Sequence, residues 1–374
     1  MSTNQLAAPR RPLGFSEEEP DRFWIIDQRY LPHQLIIEFI DTSEQAAKAI
    51  VEMRVRGAPL IGITAAWGLY LACREVQNKS NAQSLLEEKV HLLKSTRPTA
   101  VNLAWALNQG VNRLLKHKPE EWVNVAKANA QTVTEDDVDR CRSIGLHGLE
   151  LIRSIADQKT NGQPVRVLTH CNAGRIACIE YGTATAPLYL AYEQGIPLQV
   201  WVDETRPRNQ GALTAWELAQ AGITCKVIVD NAGGLLMRQG IVDLVVVGAD
   251  RVSLQGDVAN KIGTYLKALA AADCGIPFYV ALPASTFDPT WQNAEAGIEI
   301  EERDAREVLY VSGMDASQRW GTVQIYPDGT SVANPGFDVT PARLITGLIT
   351  ERGICQPNPE SILRHFPEFA TKDG

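Results

Sequence analysis

Apolar positions change their rhythm near the middle of the chain. In the first half they recur at helical spacing. Ala46, Ile50, Val51 and Met53 follow one stripe, and Thr42 with Gln45 has the spacing of a capping box that opens it. Further helices are expected over roughly 60–76, 82–94, 99–116, 119–130 and 134–157, after a few short strands near 23–40. The second half alternates instead. Continuous apolar runs at Val165–Thr169, Leu198–Val202, Cys225–Val229, Leu244–Val247 and Phe278–Leu282 read as strands. Helical stretches are expected between them, near 174–195, 210–221, 232–240 and 258–273. Uninterrupted apolar strands alternating with helices imply an α/β fold with a parallel sheet covered on both faces. The polar stretch Asp157–Pro164, with its Asn-Gly pair and proline, is the expected boundary between the two halves.

A parallel sheet of this kind binds ligands outside the carboxyl ends of its strands, so the residues that follow each strand carry the functional information. After the first strand comes His170-Cys171-Asn172-Ala173-Gly174, and after the second Asp203-Glu204-Thr205-Arg206-Pro207. The third is followed by Asp230-Asn231-Ala232-Gly233-Gly234 and the fourth by Gly248-Ala249-Asp250-Arg251. Polar, small and reactive residues at all of these positions point to a site. No GxGxxG follows the first strand and no P-loop pattern is present, which disfavours a dinucleotide-dependent dehydrogenase.

Composition narrows the partners. A chain of 374 residues suggests two domains, or three at the outside, and 45% hydrophobic residues suffice for a large core. With 36 Lys+Arg against 44 Asp+Glu, the net charge of −8 argues against nucleic acid, which needs a clustered positive surface. It leaves room for a small group of cations around one phosphorylated metabolite. The seven cysteines form no CxxC pair, and neither HExxH nor a Cys/His ligand spacing occurs, so no metal is expected. Such thiols fit a reduced, cytoplasmic protein. The N-terminal MSTNQLAAPRRPLGF lacks the apolar core of a secretory signal. The uncharged run Gly57–Cys73 is too short and glycine-rich to span a bilayer and reads as a buried helix, so no membrane partner is expected.

Among the strand-end residues, Cys171 precedes an expected helix N-terminus, where the dipole favours thiolate over thiol; the alternative is a buried structural thiol. His170 is either a modulator of that thiol or a polar strand-end residue. Asp250 leaves the most apolar strand, and partial desolvation there suits a general acid. Its alternative is a cap or an ion pair with Arg251. Asn260 and Lys261 open the next expected helix and offer an amide and a cation to an anion. Arg56-Gly57-Ala58-Pro59 sets an arginine beside exposed backbone amides, and Arg97-Pro98-Thr99 opens the 99–116 helix. Each is either a phosphate cradle or an ordinary turn. Asp203, Glu204, Arg206 and Gln210 either bind sugar hydroxyls or form a loop network. Glu301-Glu302-Arg303 reads as a solvated face.

The motifs Arg56-Gly57-Ala58-Pro59, Arg97-Pro98-Thr99-Ala100-Val101-Asn102-Leu103, Thr169–Gly174, Asp203–Pro207, Gly248–Arg251 and Asn260–Tyr265 occur in an order that resembles the methylthioribose-1-phosphate isomerase family. Asn334-Pro335 and Phe337-Asp338-Val339-Thr340-Pro341 resemble its C-terminal motif. The resemblance runs from about residue 12 to 355. It implies a smaller, mainly helical N-terminal domain with a short β-sheet over 1–160 and a Rossmann-like catalytic domain over 161–374, commonly in a homodimer. The implied activity is the aldose–ketose conversion of 5-methylthioribose 1-phosphate into 5-methylthioribulose 1-phosphate in methionine salvage, without a cofactor. The family's catalytic pair falls on Cys171 and Asp250. Its substrate contacts fall on Arg56, Gly57, Ala58, Arg97, Gln210, Asn260 and Lys261.

Some positions depart from the family's usual pattern. Gly174-Arg175-Ile176-Ala177-Cys178-Ile179-Glu180-Tyr181 stands where a run of small residues is usual, and Leu235 stands where His is common. Arg175 and Glu180 could pair with each other, or touch substrate or a partner. An isomerase of 5-deoxyribose 1-phosphate or ribose 1,5-bisphosphate is therefore an alternative. So is a non-catalytic regulatory subunit like those of initiation factor 2B. Retention of both Cys171 and Asp250 favours the enzyme.

Overall fold

The computed structural model describes residues 9–15, 18–19, 21–97, 101–160, 162–291 and 297–370. Its chain divides into two compact units, Met1–Cys141 with Arg175–Gly182, and Arg142–Gly174 with Thr183–Gly374.

The first unit opens with β1 (Leu13–Phe15), β2 (Phe23–Ile26) and β3 (Ile37–Ile40), an antiparallel sheet in that order. Helix α1 (Ser43–Val51) starts at the expected capping box: Gln45 N–H donates to Thr42 Oγ1 at 3.1 Å, and Thr42 N–H to Gln45 Oε1 at 3.2 Å. The uncharged run forms α2 (Ala58–Val76), and every residue from Leu60 to Cys73 is buried. It is hydrophobic all round because it is the centre of the unit, with α3 (Ala82–Ser95) and α4 (Val101–Leu114) packed on it. Trp67 anchors that core against Phe15, at 4.1 Å between ring centroids, and Tyr70. No helix among the described residues is long and apolar enough to cross a membrane.

The two helices expected over 119–130 and 134–157 are one, α5 (Trp122–Ala156), preceded by the 3-10 turn Pro119–Glu121. The β-branched Thr132-Val133-Thr134 weakens the helical signal in sequence. In the fold, both hydroxyls bond back to Ala128 and Ala130 carbonyls at 2.9 and 2.7 Å, and Trp67 Nε1–H donates to Thr134 Oγ1 at 3.1 Å. The segment Arg175–Gly182 joins this unit through Gln28, whose amide donates to the Ile176 carbonyl, and Asp137, which accepts from Ile179 N–H at 3.0 Å. Glu180 pairs with Arg10 and Arg11, each at 2.8 Å. The helix expected over 174–195 therefore shrinks to a 3-10 turn at Arg175–Ala177 and α6 (Ala186–Glu193). Tyr181 and Gly182 take φ of 62° and 74°, outside the right-handed helical region, and Pro187 fits only the first turn of the helix that follows.

The second unit, which includes α6, alternates as expected: β4 (Val165–Thr169), β5 (Leu198–Asp203), α7 (Gln210–Gln220), β6 (Cys225–Ile228), α8 (Ala232–Arg238) and β7 (Leu244–Val247). Next come β8 (Arg251–Ser253), β9 (Val258–Lys261), α9 (Thr264–Asp273), β10 (Phe278–Ala281) and β11 (Phe287–Asp288). The chain ends with α10 (Arg306–Leu309), the hairpin β12 (Tyr310–Met314) and β13 (Trp320–Gln324), β14 (Phe337–Thr340), β15 (Gly347–Thr350), β16 (Gly353–Cys355) and α11 (Pro359–His365). Seven strands form the main sheet in the order β16-β15-β10-β7-β4-β5-β6, parallel except at β16. Val245, Val247, Phe278 and Val280 are fully or almost fully buried in it. Each such side chain contributes about 1.5–3 kcal/mol by leaving water.

The expected 258–273 helix begins six residues late. Val258–Lys261 is a strand, paired antiparallel with β8 and β14, and Gly263 at φ 102° turns the chain into α9. Asn260 and Lys261 thus sit on a strand end, not on a helix. The apolar run that continues into α9 concealed this, because strand and helix segments of that length share one hydropathy.

Candidate active site

From β4 the main sheet grows outward through β5 and β6, and the chain then returns to the other side of β4 as β7. Loops leaving two adjacent strands at such a reversal diverge and open a crevice at their carboxyl ends. The loop after β4 carries His170 and Cys171, and the one after β7 carries Asp250.

Cys171 is half-buried and takes φ 66°, a left-handed conformation that costs a non-glycine residue about 1–3 kcal/mol. Two hydroxyls hold it there. Its N–H donates to Thr205 Oγ1 and its carbonyl accepts from Thr214 Oγ1, both at 2.8 Å. Thr205, at φ 61°, is itself held by Asp230, which accepts from Thr205 N–H and Arg206 N–H at 2.8 Å each. The expected helix N-terminus behind Cys171 is not formed, since only the 3-10 turn stands between it and α6. A cation takes its place. Burial lowers the Lys261 ammonium below the usual lysine range, and the charges of Cys171 and Asp250 oppose that shift. Cys171, Asp250 and Lys261 are therefore electrostatically coupled within the second unit. Lys261 Nζ donates to the Gly336 carbonyl at 3.0 Å and lies 4.7 Å from the Phe337 ring centroid. Asp250 is aligned beside β9 by its N–H, which donates to the Ala259 carbonyl at 3.0 Å.

Asn260 is buried, and its amide donates to Thr264 Oγ1 at 3.0 Å. Gln210, also buried, opens α7 one turn before Thr214, and its Oε1 has no hydrogen-bond partner among the described residues. An unmatched buried acceptor of this kind is costly unless a ligand completes it. Asp203 and Arg206 follow the loop-network reading. Asp203 is fully buried against Lys267 Nζ (3.1 Å) and His170 Nδ1 (2.9 Å), while Arg206 donates to the Pro207 and Val308 carbonyls. The Glu301–Arg303 stretch is not a solvated face. Arg303 lies between Glu301 (2.8 Å) and Glu307 (2.7 Å), and with Arg208 it holds the Glu307 carboxyl down at about 2.

The remaining expected contacts belong to the first unit. Arg56 is buried, Gly57 takes φ 94° as the N-cap of α2, and Ala58 is the first helical residue. Arg56 directly precedes the N-terminus of this 19-residue helix, an order of residues that suits an anion. Arg97 is partly buried just beyond α3; Pro98, Thr99 and Ala100 lie outside the described residues.

Sequence reasoning missed the supporting residues Thr214, Glu217, Lys267 and Asp338. Fully buried Glu217 accepts from the Asn172 amide at 2.7 Å, and a Cβ on Gly174 would fall 1.4 Å from its Oε1. A glutamate among the apolar positions Leu213 and Leu218 of one helix was the available signal. Asp338 accepts from Gly263 N–H at 2.7 Å and Tyr265 N–H at 3.2 Å, capping α9. Donor atoms of His170, Asp203 and Asp230 lie within 4.8 Å of one another, a spacing that a metal could use, but Lys267 already supplies a cation to Asp203. Asp137, Cys141 and Cys178 form a second such group, in the first unit.

The family model of the initiation factor 2 subunit family matches residues 54–357. A methylthioribose-1-phosphate isomerase from Desulfosudis oleivorans is 51% identical over 96% of this chain and 98% of its own length. The crystal structure of 5-methylthioribose 1-phosphate isomerase from Pyrococcus horikoshii superposes with a TM-score of 0.82 at 36% identity, covering 98% of this chain and 99% of that one. A solved translation initiation factor eIF-2B delta subunit from A. fulgidus reaches a TM-score of 0.78 at 38% identity, covering 96% and 99%. With motifs, strand-end chemistry and whole-length similarity in agreement, the chain belongs to the initiation factor 2 subunit family and, within it, to the methylthioribose-1-phosphate isomerases.

Proposed function

We propose that the chain is an aldose–ketose isomerase that converts 5-methylthioribose 1-phosphate into 5-methylthioribulose 1-phosphate, a step of methionine salvage. The observation that carries the mechanism is the coupling of Cys171, Asp250 and Lys261 at the strand-order reversal. A 1-phosphorylated furanose has no free anomeric hydroxyl, so its ring opens only when the bond from C1 to the ring oxygen breaks. Asp250 donates a proton to that oxygen. Cys171, as thiolate beside the Lys261 ammonium, removes the proton from C2, leaving an enediol whose C1 oxygen still carries the phosphate. The thiol then returns its proton to C1, and the C2 hydroxyl proton passes to Asp250 as the ketone forms. Both groups end as they began. The partly buried crevice limits water, which protects the open-chain intermediate.

Gln210, through its unmatched acceptor, and Asn260 are assigned to sugar hydroxyls, and Lys261 to the phosphate end. Arg56, the Gly57–Ala58 amides and Arg97 supply further counter-charge to the phosphate. The domains assigned are an N-terminal β/helical one over 1–160 and a Rossmann-like catalytic one over 161–374. No disulfide forms among the described residues, which supports a cytoplasmic location. A homodimer is supported by the exposed apolar Val227, Val229, Leu235 and Leu266 on the β6–α8–α9 side of the second unit.

A rate comparison on 5-methylthioribose 1-phosphate, 5-deoxyribose 1-phosphate and ribose 1,5-bisphosphate tests the assignment. The methylthio compound is expected to give the highest kcat/KM; a higher value for either other sugar would reassign the substrate, and no turnover of any would overturn the enzyme. Solvent deuterium is expected in the C1 hydrogens of product, whereas full retention of the substrate hydrogen would replace the enediol route with a hydride shift.

A further inference from the structure

His170 is 1% exposed and directly precedes Cys171, yet the proton route above does not use it. Its ring joins two separate pieces of the site. Nε2 lies 2.8 Å from the carbonyl oxygen of Ile262, the residue after Lys261, and Nδ1 lies 2.9 Å from Asp203 Oδ2. A carbonyl can only accept, so Nε2 is the donor in the first bond. Asp203 is in turn fixed by Lys267, whose Nζ also donates to the Asp230 carbonyl. Gly263 leaves room for the ring: a Cβ there would come within 3.1 Å of His170 Cε1.

The backbone on both sides of this bond is held in unusual conformations, Cys171 at φ 66° and Gly263 at φ 102°. The thiol loop is not fixed by sheet pairing, since Cys171 lies beyond the last paired residue of β4. Lys261, by contrast, is paired with Phe337 at the end of β9, and Ile262 N–H donates to the Gly336 carbonyl at 3.2 Å. The bond from His170 thus ties an unpaired loop to a fixed strand end. One imidazole hydrogen bond therefore spans from the neighbour of the thiol to the neighbour of the ammonium.

We propose that His170 is a positioning residue: through its Nε2–H bond to the Ile262 carbonyl it sets the distance between the Cys171 thiolate and the Lys261 ammonium, while Asp203 holds the ring in the required orientation. This rests on the isomerase reading for its effect on rate, though not for the clamp itself. A displacement of about 1 Å at a reacting group costs on the order of 100-fold in rate.

Two amide side chains separate the two bonds. A glutamine amide nitrogen reaches the place of Nε2, and an asparagine amide nitrogen that of Nδ1. His170→Gln thus keeps the Ile262 bond and loses the Asp203 bond, and His170→Asn does the reverse. The expected kcat is within about fivefold of wild type for Gln and about 100-fold lower for Asn, with KM changed less than about threefold in both. A role in folding alone would make the kcat losses follow the two melting temperatures; equal losses, or a larger loss in Gln, would overturn the clamp. Alkylation of the Cys171 peptide by iodoacetamide, followed by mass spectrometry, reads the same clamp without substrate. It should slow at least about threefold in Asn and stay near wild type in Gln. If wild-type protein turned over none of the three sugars, this arm would still decide. Should neither variant fold, ¹⁵N-histidine NMR of the wild type is expected to show an exchange-protected His170 Nε2–H, and its absence would overturn the proposal.

Discussion

Asp137 in the first unit and Asp203 in the second are both buried carboxylates, and they meet their charge in opposite ways. Asp137 sits on α5 and accepts from Ile179 N–H at 3.0 Å, with the Cys141 thiol at 3.9 Å. Burial outweighs these contacts and pushes its pKa up to about 7. Asp203 stands between Lys267 and His170 at 3.1 and 2.9 Å, so two cationic or N–H-bearing groups face one carboxylate. The contrast follows from place. Strand ends collect loops whose polar groups converge, whereas the side of a packed helix offers one carboxylate few partners. The charge of Asp203 is organised into a network with its neighbours; that of Asp137 is a cost carried by the fold.

The strongest way to break this contrast is to remove the groups proposed to react. Cys171→Ser and Asp250→Asn are each expected to lower kcat by about 1,000-fold with the far-ultraviolet circular dichroism unchanged. Near-normal rates in either would show that the strand-end charges are merely structural. Lys261→Met should cost about 100-fold in kcat/KM, since it removes a cation from both thiolate and phosphate; a loss under threefold would separate Lys261 from the chemistry. Asp203→Asn removes one partner of a buried ion pair, which costs about 3–5 kcal/mol, measured by urea denaturation.

Asp137→Asn should do the opposite. The folded carboxyl binds its proton more tightly than the unfolded one, whose pKa is 3.8, so wild-type stability from this group falls as pH rises from about 4 to about 7 and is level beyond. The variant should therefore lose that slope, with its largest gain in melting temperature above pH 7; an unchanged slope between pH 5 and 8 would refute the assignment. The smallest effect concerns the thiols. Burial raises Cys73 and Cys355 to about 12 and 11, so neither should react with a disulfide reagent at pH 8 in native protein. Labelling of either at the rate of Cys171 would show that these cores open.

Much of this was readable from the chain. The capping box at Thr42, the buried helix over the uncharged run and the parallel strands with reactive ends all follow from local periodicity and turn chemistry. Errors fell where tertiary partners overrule local preference. Trp67 supports Thr134 through what read as a helix break, and Asp137, Gln28 and the two N-terminal arginines hold 175–182 out of a helix. Pairing with β8 and β14 turns Val258–Lys261 into a strand.

Net charge argued against a polyanion, and motif order named the family and pointed to candidate reacting residues, because these depend on residue types and spacing alone. Only the fold decided which side chains face one another. It replaced the expected helix dipole at Cys171 with the Lys261 ammonium, and it turned Asp203 from a ligand candidate into the support of His170. Such pairings join residues dozens of positions apart, at angstrom distances that no one-dimensional pattern encodes.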